Sequence, residues 1–248
     1  MIDASAPVEV FDEIDSTVLE ARRRVERGDY GPVWLVARRQ SAGRGRRGRA
    51  WVSLPGNLLA TALFPTSSPV AEIALFAFAT GLAIADALEA LGVSQVGLKW
   101  PNDVMIGDAK CAGVLIDSGA IPQGQAWVAL SLGVNVAAAP KALDYATASV
   151  REALAADAQP PSALELLATV RARLDVWANR LADEGFAPLR AAWLARAYGL
   201  GREASVMQGG AELRGRLVGL SSRGELELDT GDGRRLIAAG DVFLSNAA

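Results

Sequence analysis

Six arginines and no acidic residue lie between Arg38 and Arg49, in Gln40-Ser-Ala-Gly-Arg-Gly-Arg-Arg-Gly-Arg-Ala-Trp51. Glycines let backbone amides approach an anion, and guanidinium groups clamp phosphate oxygens two at a time. So many like charges predict a loop that is mobile until it orders around a phosphate or acyl phosphate. The same composition also suits an Arg/Gly nucleic-acid segment, although those are usually terminal and long, and this one falls between two predicted strands. A second candidate is Lys99-Trp-Pro-Asn-Asp103 at the end of a predicted strand. Proline stops the strand and Asn102 and Asp103 favour a turn, so their side chains project from a tight corner where a carboxylate beside a lysine can orient a nucleophile. The bland alternative is an ordinary Pro-Asn-Asp turn. The third is Lys110-Cys-Ala-Gly-Val-Leu-Ile-Asp117, seven residues after Asp103, across a short hairpin with Gly107-Asp108 at its tip. The chain has only three lysines, Lys99, Lys110 and Lys141. Lys110 is therefore either a compact point charge for a carboxylate or phosphate, or a solvated strand-edge lysine.

The elements that must position these residues read as strands mixed with helices, hence an α+β or α/β domain. A capped amphipathic helix is predicted from Ser16 to Gly28. Strands are predicted at Val33–Ala37, Asn57–Phe64, Val96–Trp100, Gly113–Ile116 and Trp127–Leu132, with one long helix from Val70 to Leu91. An alanine- and proline-rich connection covers Ala137–Pro161. The capping box Ser162-Ala-Leu-Glu165 then opens a helix that stops at Gly185, and a second helix runs from about Ala187 to Tyr198. After Gly199 short strands at Ala204–Met207, Leu213–Leu220, Glu225–Asp229, Arg234–Ala238 and Asp241–Leu244 suggest a small β-barrel, with a domain boundary near residue 198.

Bulk composition narrows the functions. The 248 residues carry a net charge of −3, which argues against a dedicated nucleic-acid binder. There is no histidine, which excludes Ser-His-Asp and Cys-His catalysis and any His-ligated zinc. One cysteine, Cys111, allows neither an intramolecular disulfide nor a thiolate metal cluster, and fits a reducing compartment. The first residues are acidic and lack the features of a signal peptide. The most apolar run, Ile73–Ala85, is 13 residues long, too short to span a bilayer. A soluble, cytoplasmic protein with no membrane partner is expected.

The arginine/glycine loop, the Lys-Trp-Pro-Asn-Asp corner, the lysine seven residues on, and Ser131-Leu-Gly-Val-Asn-Val136 follow one another in an order that resembles the biotin–protein ligase family. The likeness begins at Asp15-Ser16-Thr17 and covers nearly the whole chain. Asp117, where relatives often carry Glu, is a departure. The resemblance implies an α+β fold: a mixed β-sheet flanked by helices, like that of the biotin/lipoate ligases and class II synthetases, over residues 1–198. An SH3-like β-barrel over 199–248 completes it. It implies the form without a DNA-binding domain, no DNA partner, and a monomer or homodimer. The implied reaction joins biotin to ATP as biotinyl-AMP with Mg²⁺, bound through substrate phosphates and not through a protein metal site. Biotin then passes to a lysine of a biotin carboxyl carrier domain of a carboxylase. Both nucleophiles belong to substrates, which suits a chain without histidine.

Carried over residue by residue, Ser16, Thr17, Gln40 and the backbone around Arg44 would hold the biotin ring, and Gly113, Val114 and Leu115 would line its valeryl channel. Arg46, Arg47, Arg49 and Trp51 would close on the adenylate, with Arg46 nearest the phosphate. Lys110 would bridge the biotin carboxylate and the α-phosphate. Asn102 and Asp103 would sit near the phosphates, with Asp103 orienting the acceptor amine, and Gly133 and Asn135 near the nucleotide. Bulky replacement of Gly43 or Gly45, or Arg46→Ser, should let biotinyl-AMP escape. The sister lipoate–protein ligases share reaction type and fold, but the loop and corner match the biotin branch better.

Overall fold

The computed structural model describes residues 5–208 and 211–244. Its larger part is a seven-stranded mixed sheet in the order β1-β2-β3-β7-β6-β5-β4. These strands are Val8–Phe11 (β1), Val33–Ala37 (β2), Leu58–Thr66 (β3), Val96–Lys99 (β4), Asp103–Ile106 (β5), Ala109–Ala120 (β6) and Ala126–Val134 (β7). Only the β1–β2 pair is parallel.

Side chains alternate between the two faces of each strand, and this alternation separates the core from the site. One face carries Ala60, Ala62, Phe64, Val128, Leu130 and Leu132, buried against helices α3 (Phe76–Ala90) and α5 (Ala163–Glu184). Helix α3 is apolar almost all round, as a helix enclosed by sheet and helices must be. The other face carries Val33, Leu35, Leu63 and Ala129 beneath helix α1 (Thr17–Glu26), which contributes Ala21. This helix is short and covers only part of that face.

The expected single helix from Val70 to Leu91 is two, α2 (Val70–Ile73) and α3. At the join Ala77 N–H donates to Ala74 O and Phe78 N–H to Leu75 O, three-residue spacings that tighten the turn. Strand β1 was not foreseen: it is an edge strand with exposed Val8 and Val10, and acidic neighbours mask its alternation. The alanine-rich connection contains a helical turn, α4 (Val150–Ala153), with its own Ser149/Glu152 capping box. The capping box at Ser162 and Glu165 opens α5 as expected, and α6 (Phe186–Leu194) follows.

Residues 203–208 and 211–244 form a second, antiparallel sheet in the order β11-β10-β9-β8-β12. Its strands are Glu203–Gln208 (β8), Ala211–Leu220 (β9), Leu226–Thr230 (β10), Gly233–Ile237 (β11) and Asp241–Leu244 (β12). It is docked onto the corner after β4 and onto helix α6 by specific polar ties. The buried Trp100 Nε1–H donates to Gly224 O at 3.0 Å, and Arg190 Nε to Leu220 O at 2.6 Å. The joining segment is itself fastened to β4, where Leu98 N–H donates to Arg196 O and Tyr198 N–H to Leu98 O.

Candidate active site

Beyond the N-terminus of α1 the same sheet face is uncovered, and there it floors a cavity of about 370 Å³. A cross-strand row runs through this floor: Lys99 pairs with Asp103, Asp103 with Gly113, Gly113 with Gly133, and Gly133 with Leu59. Residues opposite one another share a face, so charged groups stand at one end of the row and glycines in the middle. The glycines are needed for space. A Cβ on Gly133 would lie 2.5 Å from the Trp51 ring, and one on Gly113 would lie 3.3 Å from it.

Strict alternation from Gly113 would turn Lys110 into the core with Ala112. Instead Val104 pairs with Ala112 and Met105 with Lys110, leaving Cys111 as an extra, bulged residue. The bulge re-aims Lys110 onto the cavity face, while Cys111 and Ala112 are both fully buried in the core. Burial pushes the Cys111 thiol up to about 12, so it is unreactive. The Lys110 ammonium lies 2.7 Å from Asp103 Oδ1, an ion pair whose angles leave that buried oxygen without a hydrogen bond. It also stands 5.6 Å from the Trp51 ring centre and 5.8 Å from that of Tyr145.

The corner Lys99–Asp103 is the β4–β5 hairpin turn and contains a cis Trp100–Pro101 bond. Asn102 is fixed on both sides: its amide donates to Val114 O, and Val114 N–H donates to its carbonyl. Lys99 lies in the cavity wall and forms no ion pair among the described residues. Burial lowers its pKa, the charge on Asp103 opposes that shift, and Lys110 adds to it.

The arginine/glycine loop folds back on itself. Gly45 N–H donates to Arg49 O, Trp51 N–H donates to Gly43 O, and Arg46–Gly48 form a tight helical turn at the tip. The like charges that argue for a mobile loop have a counter-charge within the chain: Asp241, at the start of β12. Arg47 and Arg49 each approach it at 2.9 Å and Arg46 at 3.9 Å. Arg46 reaches inward, donating to Asn102 Oδ1 and to Gly240 O, both at 3.1 Å, and burial lowers its pKa.

At the opposite end, Ser16 and Thr17 begin α1, and the Ser16 hydroxyl caps no helix amide. Gln40 Oε1 accepts from the Thr17 amide at 2.8 Å and from its hydroxyl at 3.1 Å. Leu59, Leu115 and Ser131 lie between this polar end and the charged one.

The cavity thus gathers Ser16, Thr17, Gln40, Arg44, Arg46, Arg49, Trp51, Asn102, Asp103, Lys110, Gly113, Val114, Leu115 and Gly133. Val114 contributes through its backbone, because its side chain belongs to the core. Arg47 and Asn135 are not in its lining. Arg47 is engaged with Asp241, and buried Asn135 donates to Ala148 O, holding the far end of the alanine-rich connection. The near end is held by Asn57, whose Oδ1 accepts the amides of Val136, Ala137 and Ala138. That connection brings Asp144 and Tyr145 to the cavity, and β12 brings Asp241 and Phe243. None of these was foreseen, since no local pattern marks them. An aspartate beginning a strand after glycine was the only trace of Asp241.

The sequence profile of the biotin/lipoate A/B protein ligase family matches residues 10–136, and that of the biotin protein ligase C-terminal domain matches residues 199–245. The chain is 39% identical over 236 residues to a biotin–[acetyl-CoA-carboxylase] ligase of Paracoccus denitrificans, covering 92% of this chain and 97% of that one. It is 32% identical to the Mycobacterium tuberculosis enzyme of the same name, covering 95% and 88%. The biotin protein ligase of Aquifex aeolicus in complex with biotin and ATP superposes with a TM-score of 0.79 at 26% identity, covering 97% of this chain and 99% of that one. By the length and level of these matches, which include the C-terminal sheet, the chain belongs to the biotin–protein ligase family.

Proposed function

We propose that this chain is an ATP-dependent biotin–protein ligase that forms biotinyl-AMP and passes biotin to a lysine of a biotin carboxyl carrier domain. The observation that carries the reading is the single cavity in which a polar end, a glycine floor and a cluster of cations succeed one another. Residues 1–198 form the catalytic unit and 199–248 the C-terminal barrel, which supplies Asp241 to the loop.

Biotin's ring lies at Ser16, Thr17, Gln40 and the backbone of Arg44, and its chain crosses Gly113, the Val114 backbone and Leu115. Its carboxylate then arrives beside Lys110. The ammonium exchanges Asp103 for the carboxylate and the α-phosphate, offsetting the charge repulsion between them as the carboxylate oxygen attacks phosphorus and pyrophosphate leaves. Arg46, held inward by Asn102, is the loop cation nearest the developing negative charge, with Lys99 beside the departing phosphates and Arg49, held by Asp241, closing the loop over them. Gly133 and Trp51 wall the nucleotide side, and Arg47 and Asn135 act on it indirectly, through Asp241 and through the alanine-rich connection.

In the second step Asp103, released from Lys110, orients the acceptor amine and takes up its proton while the mixed anhydride is cleaved and AMP departs. Mg²⁺ fits as the counter-ion of ATP. No group of three acidic, histidine or cysteine side chains that could hold a metal occurs among the described residues, so the ion would be carried on the substrate phosphates. A cytoplasmic setting fits the lone buried thiol, and no helix among the described residues is long and apolar enough to cross a membrane.

Biotin-dependent exchange of labelled pyrophosphate into ATP tests the first step, and labelling of a carrier domain tests the second. Exchange with lipoate instead of biotin would move the chain to the sister activity, and exchange with neither would overturn the reading.

A further inference from the structure

Thr61 on β3 and Ser131 on β7 stand directly opposite one another on the cavity face, the row next to the glycine floor. Thr61 is fully buried, so its hydroxyl must bond to neighbours, whereas Ser131, 9% exposed, also borders the cavity. The neighbours form one chain. Thr61 Oγ1 is 2.8 Å from Thr17 Oγ1 and 2.8 Å from Ser131 Oγ, and Thr17 Oγ1 is 3.1 Å from Gln40 Oε1.

The direction of every proton in this chain follows from its end. The Thr17 backbone amide points at Gln40 Oε1 from 2.8 Å, and a backbone N–H can only donate. The Gln40 atom is therefore its carbonyl oxygen, and the Thr17 hydroxyl must spend its single proton there. Thr17 Oγ1 can then only accept from Thr61, whose proton is spent in turn. The Thr61–Ser131 contact must be one in which Ser131 donates. Of the two, Ser131 lines the cavity and Thr61 does not. Ser131 thus has its proton committed inward and only lone pairs left.

We propose that Ser131 is a specificity-determining residue that accepts a ring N–H of the ligand, and that Thr61 is a positioning residue that holds Ser131 in the acceptor state. The proposal rests on the biotin reading above: a cyclic urea presents N–H donors to this wall, and a dithiolane ring presents none. A site with an obligate acceptor selects the first and leaves a buried lone pair unsatisfied with the second.

The test is pyrophosphate exchange with biotin and with biotin methylated on either ureido nitrogen, in wild type, Ser131→Ala, Thr61→Val and Thr61→Ser. Wild type should discriminate strongly against one of the two methylated forms. Ser131→Ala should raise KM for biotin roughly tenfold with kcat little changed, and reduce that discrimination by a similar factor. Thr61→Val frees the Ser131 proton and should move the same ratio in the same direction, and Thr61→Ser should restore it, which a packing role for the threonine methyl would not do. If the alanine variant does not fold, Ser131→Cys, a near-isosteric weak acceptor, must shift the ratio likewise. Active wild type with an unchanged ratio in the folded Ser131 variants overturns the proposal. Inactivity of wild type with biotin itself overturns the underlying reading instead.

Discussion

Replacing Asp241 by Asn keeps the shape of the side chain that gathers the loop arginines and removes its charge. Arg47 and Arg49 each lose a charged partner at 2.9 Å. A charge-assisted hydrogen bond contributes up to about 3 kcal/mol when buried. Here the carboxylate is 20% exposed, and the two guanidinium groups 44% and 58%, so solvent screening cuts each pair to at most about 1 kcal/mol. The closed loop therefore loses about 1–2 kcal/mol, or roughly 5–30-fold in its closing equilibrium. Asp241 also has an opposing effect, competition with phosphate for the arginines. The geometry decides: Arg46, the inward cation, lies 3.9 Å from Asp241 and bonds instead to Asn102 and Gly240, so the two outer arginines can hold the latch while Arg46 serves the ligand. Asp241→Asn should thus speed escape of preformed, labelled biotinyl-AMP, followed by chase with unlabelled biotin in the absence of acceptor. Raised salt should narrow the gap between variant and wild type. Release at the wild-type rate, or slower, would show that Asp241 does not latch the loop.

Other substitutions separate features that the sequence treats alike. Gly43→Ala places a methyl 2.5 Å from Trp51 O, whereas Gly45→Ala meets nothing nearer than Arg49 O at 3.4 Å, so only the first should accelerate release in the same chase. Trp100→Phe leaves the Gly224 carbonyl without its donor and should cost about 1–3 kcal/mol in urea unfolding, whereas a change below about 0.5 kcal/mol would mean that this tie does not hold the two sheets. Burial raises the pKa of Glu20, but hydrogen bonds from Arg23 and Arg24 outweigh it and hold the carboxyl below the usual range. Its contribution is complete above the unfolded value of about 4.3 and is lost as pH falls through the lower folded value, so Glu20→Gln should destabilise near neutrality and cease to do so in strong acid. An equal difference at both extremes, measured by denaturant midpoint, would refute that assignment.

What could be read from the chain follows the range of the interactions. The arginine/glycine loop, the Lys99–Asp103 corner and Lys110 are visible because each is a local pattern, and turns and strand ends are written locally. The hairpin at Gly107-Asp108 and the barrel strands were legible for the same reason. Asp241 was not, because its meaning depends on a loop almost two hundred residues earlier in the chain. Thr61 looks like any strand threonine until register places it against Ser131 and Thr17. Even Lys110, singled out for its rarity, owes its direction to a bulge at Cys111 that only the pairing with β5 reveals.

Those long-range contacts also explain how a site so rich in cations is maintained. Asp241 is shared by the outer arginines and Asp103 pairs with Lys110, while Arg46 and Lys99 are withdrawn from water with less compensation. Burial lowers the pKa of both Arg46 and Lys99, the expected result when a cation is withdrawn from water without a full partner. A bound polyphosphate would supply the counter-charge that both lack, and should therefore stabilise the protein against unfolding. Both residues meet the Lys99–Asp103 corner, Arg46 by donating to Asn102 and Lys99 by pairing with Asp103 across the hairpin. The corner is therefore where the least compensated cations of the cavity come together. The corner is also tied to the second sheet, by Trp100 to Gly224 O and by Arg46 to Gly240 O.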